Sequence, residues 1–76
     1  MPLQTEGSYE MEAPARDLVI ALASLSEKQR AAVVLHDAAG YPNKEVAAII
    51  GSTTAAVKVH VARARRRLRE LLGDEA

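Results

Sequence analysis

Five arginines crowd the stretch from Arg63 to Arg69 (Arg63, Arg65, Arg66, Arg67 and Arg69), with Lys58 before them and the hydroxyls of Thr53 and Thr54 earlier still. A guanidinium offers a rigid fork of donors that fits a phosphate or the acceptor edge of a guanine, and hydroxyls at a helix start meet phosphate oxygens. The chemistry on offer is recognition of a polyanion. Reaction chemistry is missing: there is no cysteine, and His36 and His60 lie 24 residues apart with no carboxylate cluster beside either. Neither a glycine-rich phosphate loop nor a pair of working carboxylates is present, so no enzyme, cofactor or metal site is expected.

The formal net charge of zero hides an asymmetry. Residues 1–25 hold one base (Arg16) against four acids, a net of −3, whereas residues 26–72 hold nine bases against four acids, a net of +5. Asp74 and Glu75 in the tail restore neutrality. A basic body on a neutral chain points to a polyanionic partner.

A chain of 76 residues has room for one domain, and its apolar content is Ala, Val, Ile and Leu with only two tyrosines as aromatics. Closely packed short helices suit that composition, and the fold class expected is all-α, a compact four-helix domain containing a helix-turn-helix. No run approaches the ~18–20 apolar residues of a membrane span, and the N-terminus lacks a signal-peptide pattern, so a cytoplasmic location with no membrane association is the default expectation.

Residues 1–13 mix Pro, Gly, Ser and acids without apolar periodicity and read as a disordered leader or linker, residues 14–73 as the domain and 74–76 as a tail. A first helix is expected over 14–24, with Leu18, Ala21, Leu22 and Leu25 inward and Val19 and Ile20 off that stripe. Ser26 and Gln29 form a capping-box pattern for a second helix over 27–39, with Ala31, Val34, Leu35 and Ala38 inward and Gly40 as terminator. His36 falls on its outer side. A short third helix over 43–50 turns Val46, Ile49 and Ile50 inward and ends at Gly51, with either Pro42 at its first position or Asn43 as its cap. Thr53 caps a fourth helix over 54–72, whose inner stripe is Val57, Val61, Ala64, Leu68 and Leu71. At about 100° per residue, Val59, Ala62, Arg63 and Arg66 then lie between about 140° and 240° from that stripe, on the outer face.

A short helix, a glycine-containing turn and a longer helix with a polar first turn make up the helix-turn-helix unit, which sets the longer helix into a major groove. Residues 22–72, about two thirds of the chain, resemble region 4 of bacterial sigma factors, especially the extracytoplasmic-function group. The matching pieces are LASLSEKQRAAVVLHDAAGY, KEVAAIIG and AAVKVHVARARRRLREL, and the R-A-R-x-x-L of the last is the most specific. NKEVA and VKVH resemble the LuxR/NarL type of response-regulator output domain equally well. The arginine run through Leu68 and the Gln29-Arg30 pair favour the sigma reading.

That resemblance implies double-stranded promoter DNA, through its −35 element, as one partner and the β-subunit flap of the RNA polymerase core as another, with an anti-sigma factor as a further candidate. By position in the family pattern, Lys58, Val59, Ala62 and Arg63 face bases and nearby phosphates, while Thr53 and Thr54 meet the backbone. Val59 and Ala62 depart from the serine and the aromatic or basic residue common there and offer only apolar contact, for example to a thymine methyl. His60 replaces a frequent arginine with an imidazole, whose charge is not permanent. Arg66 joins the outer face; Arg65, Arg67 and Arg69 supply general attraction or solvation near the helix end. Arg30 is either a phosphate clamp or the partner of Glu45 or Asp37. Nothing in residues 1–21 resembles the −10-reading region of a complete sigma factor, so the expectation is an excised domain or a free-standing region 4. A protein-interaction module that binds a regulator instead of DNA is the alternative of a different class.

Overall fold

A computed structural model describes residues 12–73; the leader and tail readings for residues 1–11 and 74–76 lie outside it. Among the described residues the regular elements are all helical: α1 (Ala13–Ala23), α2 (Glu27–Val33) running directly into a π-helical turn (Val34–Ala38), α3 (Asn43–Ile50) and α4 (Thr54–Leu72). These agree with the expected spans to within a residue or so at each end.

Local chemistry accounts for the boundaries. Pro14 starts α1, where a missing N–H is harmless. Ser26 and Gln29 close their capping box, with Gln29 N–H donating to Ser26 Oγ at 3.1 Å and Ser26 N–H to Gln29 Oε1 at 3.2 Å. The wide π turn is closed by Ala39 N–H to Val34 O and Tyr41 N–H to Leu35 O, both at 3.0 Å. Gly40, at φ +84°, then reverses the chain as the left-handed terminator expected there. Pro42 takes the cap position of α3 in extended conformation, and Asn43 is the first helical residue rather than the cap.

The core is thin and aliphatic. One cluster joins Ala32, Val46, Ala47, Val57 and Val61, and a second joins Leu25, Val33 and Ala64, with Leu22 and Leu68 packed at its edge. Both lie along α4, so α1, α2 and α3 are braced through one long helix. The largest fully buried side chains are valines, Val46 and Val57.

All four inward stripes differ in part from expectation. In α2 and the turn that follows it the buried pair is Ala32 and Val33, while of the expected stripe Leu35 packs against the core and Ala31 is partly buried but Val34, 40% exposed, and Ala38 lie outside, so the buried side of the helix is rotated from the expected one. Its true inner face carries polar ends, Gln29 and His36, which masked it in the apolar periodicity. Both ends are satisfied locally: Gln29 in the box, and His36 through Nδ1, 2.8 Å from Tyr41 O. In α3 Ala47 takes the buried place expected of Ile49, its methyl packing with Val57 and Val61 of α4, and Ile49 is left outside. At the far corner Leu18 and Leu71 are both 44% exposed: α1 seats its C-terminal part, through Ala21, Leu22 and Leu25, and leaves its first turns shallowly set against the end of α4.

Candidate nucleic-acid interface

The turn between α3 and α4 fixes the site. Gly51 sits in the left-handed region (φ +70°, ψ +46°), and its N–H and that of Ser52 both donate to Ala47 O, the latter at 2.8 Å. This closes α3 and swings the chain so that α4 leaves at 98° to α3. A steep crossing through a three-residue glycine turn is the geometry of a helix-turn-helix, in which the second helix can protrude into a groove.

Thr53 starts α4, its Oγ1 accepting from Ala56 N–H at 3.0 Å. No acidic residue lies in the first turn, so the positive end of the helix dipole is not neutralised there. Val57, Val61 and Ala64 are buried, which turns the opposite side of α4 to solvent. Lys58, Val59, Ala62, Arg63 and Arg66 are exposed around that side, and Thr53 and Thr54 are exposed at the start of the helix. His60 differs. It is half-buried, at the border between the exposed side and the core.

The basic run divides by its partners. Arg65 donates to Asp37 from both Nε and Nη2, the Nε contact being 2.8 Å, and Arg67 reaches Glu70 at a weak 3.4 Å. Lys58, Arg63 and Arg66 form no ion pair with any described residue, so their charge remains available to a phosphate. The Arg65 hydrogen bonds hold the Asp37 carboxyl below its usual range, against a smaller opposing effect of burial, with the positive charges of Arg65 and His36 assisting.

Arg30 stands apart from this group. Its Nε donates to Leu22 O and one Nη to Leu25 O, both at 2.9 Å, so it staples the end of α1 to α2. The ion pair with Asp37 or Glu45 does not form: the guanidinium is given to the two carbonyls, and Asp37 is paired with Arg65. Sequence reasoning missed the Asp37–Arg65 pair: the residues are 28 positions apart and meet only through the packing of α2 against α4. It also missed the His36 contact, for which the signal present was a histidine one turn before a Gly-Tyr-Pro reversal. Among the described residues no group of three or more His, Asp or Glu side chains could hold a metal ion. No single described helix is long and apolar enough to cross a membrane.

No curated protein matches the chain in a sequence comparison. The model of the family described as sigma-70, region 4, matches residues 16–68, from the middle of α1 through most of α4. That match favours the sigma reading over the response-regulator one. The four-helix architecture, the steep glycine turn and the exposed basic side of α4 agree with a family of DNA-binding, polymerase-contacting transcription modules. The chain belongs to the sigma-70 region 4 family.

Proposed function

We propose that the chain recognises the −35 element of a promoter by laying the N-terminal half of α4 in the major groove, as a region 4 of the extracytoplasmic-function type. The observation that carries this reading is the 98° crossing of α3 and α4, which leaves Thr53, Thr54, Lys58, Val59, Ala62 and Arg63 exposed together on the leading part of α4. Thr53, Thr54 and the free helix end meet the phosphate backbone. Lys58 and Arg63 donate to guanine or phosphate, Val59 and Ala62 offer methyl groups to thymine, and Arg66 extends the phosphate contact. His60, at the border of the face, touches the backbone beside it. Arg30 acts chiefly through the position of α1, with one Nη left for a phosphate.

A duplex titration at several salt concentrations tests this. Affinity should fall steeply as salt rises, and Arg63→Ala should weaken binding by about 1–3 kcal/mol and relax preference at one base pair. Unchanged affinity in that variant would remove Arg63 from the reading face.

A second partner is supported by a separate observation. Leu18 and Ile20 of α1, 44% and 62% exposed, stand beside Leu71 and Leu72 at the end of α4, while Val19 is exposed away from them next to Arg30, and grouped exposed apolar side chains of this kind mark contact sites. Under the promoter reading this surface serves the β flap of the polymerase core; under the rival reading it serves an anti-sigma factor or other regulator. Absence of duplex binding at low salt, together with tight binding to such a protein, would favour the rival.

A further inference from the structure

Arg65 lies inside the basic run of the helix that the promoter reading sends to DNA, yet its guanidinium is committed elsewhere. Nε and Nη2 engage both oxygens of Asp37, and of the ion pairs among described residues this is the one with short, paired contacts. Asp37 is itself held in place. It belongs to the π-helical turn closed by Ala39 N–H on Val34 O and Tyr41 N–H on Leu35 O, and its neighbour His36 is tied to Tyr41 O. On the other side of the pair, Arg65 follows Ala64, a fully buried residue whose methyl packs with Val33 and Leu25. The contact therefore joins a pinned turn after α2 to α4 at the point where α2 and α4 are packed through small side chains. Together with Val57 and Val61 in the other cluster this packing selects the buried side of α4, but contacts between small smooth side chains leave a few degrees of rotation about the helix axis soft. A two-point guanidinium–carboxylate contact resists rotation directly.

We infer that Arg65 is a positioning residue for DNA recognition and not a phosphate ligand: with Asp37 it sets the rotation of α4 on α2, and hence the direction in which Lys58 and Arg63 point. The inference rests on the promoter-docking reading. It runs against simple electrostatics, which makes Asp37 a like charge near DNA whose removal should tighten binding.

The test uses the whole chain, a duplex of about 20 base pairs that it selects from a randomised pool, and a mixed-sequence duplex of equal length. Each contacted phosphate contributes about 0.9 to the slope of log affinity against log salt, whereas a misfolded fraction changes the apparent affinity and leaves the slope alone. For Arg65→Gln, the expected result is a loss of about fivefold on the selected duplex, at most about twofold on the mixed one, and an unchanged slope. Asp37→Asn should do the same, and the double variant should lose no more than either single one, as for two groups acting through one contact. A slope reduced by about 0.9 in Arg65→Gln, with equal losses on both duplexes, would overturn the inference, as would tighter binding by Asp37→Asn. If the unmodified chain binds neither duplex at low salt, the docking reading itself fails and this role falls with it. Binding by the unmodified chain with a slope change in Arg65→Gln overturns the positioning role alone.

Discussion

Asp37 is the residue whose chemistry depends most on the fold. Its carboxyl is held low by the Arg65 hydrogen bonds first and by nearby positive charge next. An acid whose pKa is depressed by folding contributes stability above its unfolded value of about 3.9 and loses it as pH falls through the folded one. The pair is 34% to 49% exposed, so solvent screening limits the contribution to about 1 kcal/mol or less. Urea unfolding at a series of pH values should show the native chain losing slightly more stability than Asp37→Asn as pH falls below about 5, with the two curves converging at the acid end. Parallel curves would mean that the pair is broken in solution. The same residue-level logic separates Arg30 from the other cations: its guanidinium is given to two backbone carbonyls, adding a donor to Leu22 O beside the Leu25 N–H and supplying one to Leu25 O in the turn after α1.

At the scale of elements, the α3–α4 turn does most to shape the site. Gly51 lies at φ +70°, but a Cβ built there meets nothing within 4 Å, so the cost of a side chain is backbone strain without collision. Gly51→Ala should lower stability by about 1 kcal/mol, and Gly51→Asn by less, because asparagine tolerates the left-handed region better. A loss of several kcal/mol for alanine in equilibrium unfolding would show that the turn has tighter requirements than its φ implies. Helix spans of this kind were legible in the sequence because caps and glycines mark them chemically: the Ser26–Gln29 box, Gly40, Gly51 and Thr53 all act as their types suggest. Which face of a helix is buried was less legible. In α2 the run from Ala31 to Ala39 is apolar enough to support two registers, and the correct one ends in Gln29 and His36, whose local hydrogen bonds do not register as hydrophobicity. The exposed side of α4 was legible because Val57, Val61 and Ala64 allow one register only. The Asp37–Arg65 pair was not, since it depends on how α2 crosses α4 and no local pattern encodes that.

For the molecule as a whole, the small core and the apolar outer corner are opposite consequences of one composition. Nearly half the residues are hydrophobic, yet the buried set among the described residues is alanines, valines and a single leucine, while Leu18, Val19, Ile20 and Leu71 remain outside. A domain of this size draws only about 3–5 kcal/mol from its core, so one buried methyl pair is a large share of its stability. Val57, fully buried against α3 and α2 in the first cluster, should therefore be critical: Val57→Ala removes two carbons and leaves a cavity, and should cost about 2–3 kcal/mol. Ile20, 62% exposed, has a larger side chain but little of it in contact, and Ile20→Gln should change stability by no more than about 0.5 kcal/mol. Thermal and urea unfolding of the two variants in parallel decide the matter. Similar losses would mean that the outer corner is packed in solution, by the chain's own remaining residues or by a second copy. The asymmetric result would leave α1 with an apolar side that folding does not require, and duplex binding by Ile20→Gln at native strength would then place its use outside DNA contact, with a protein partner.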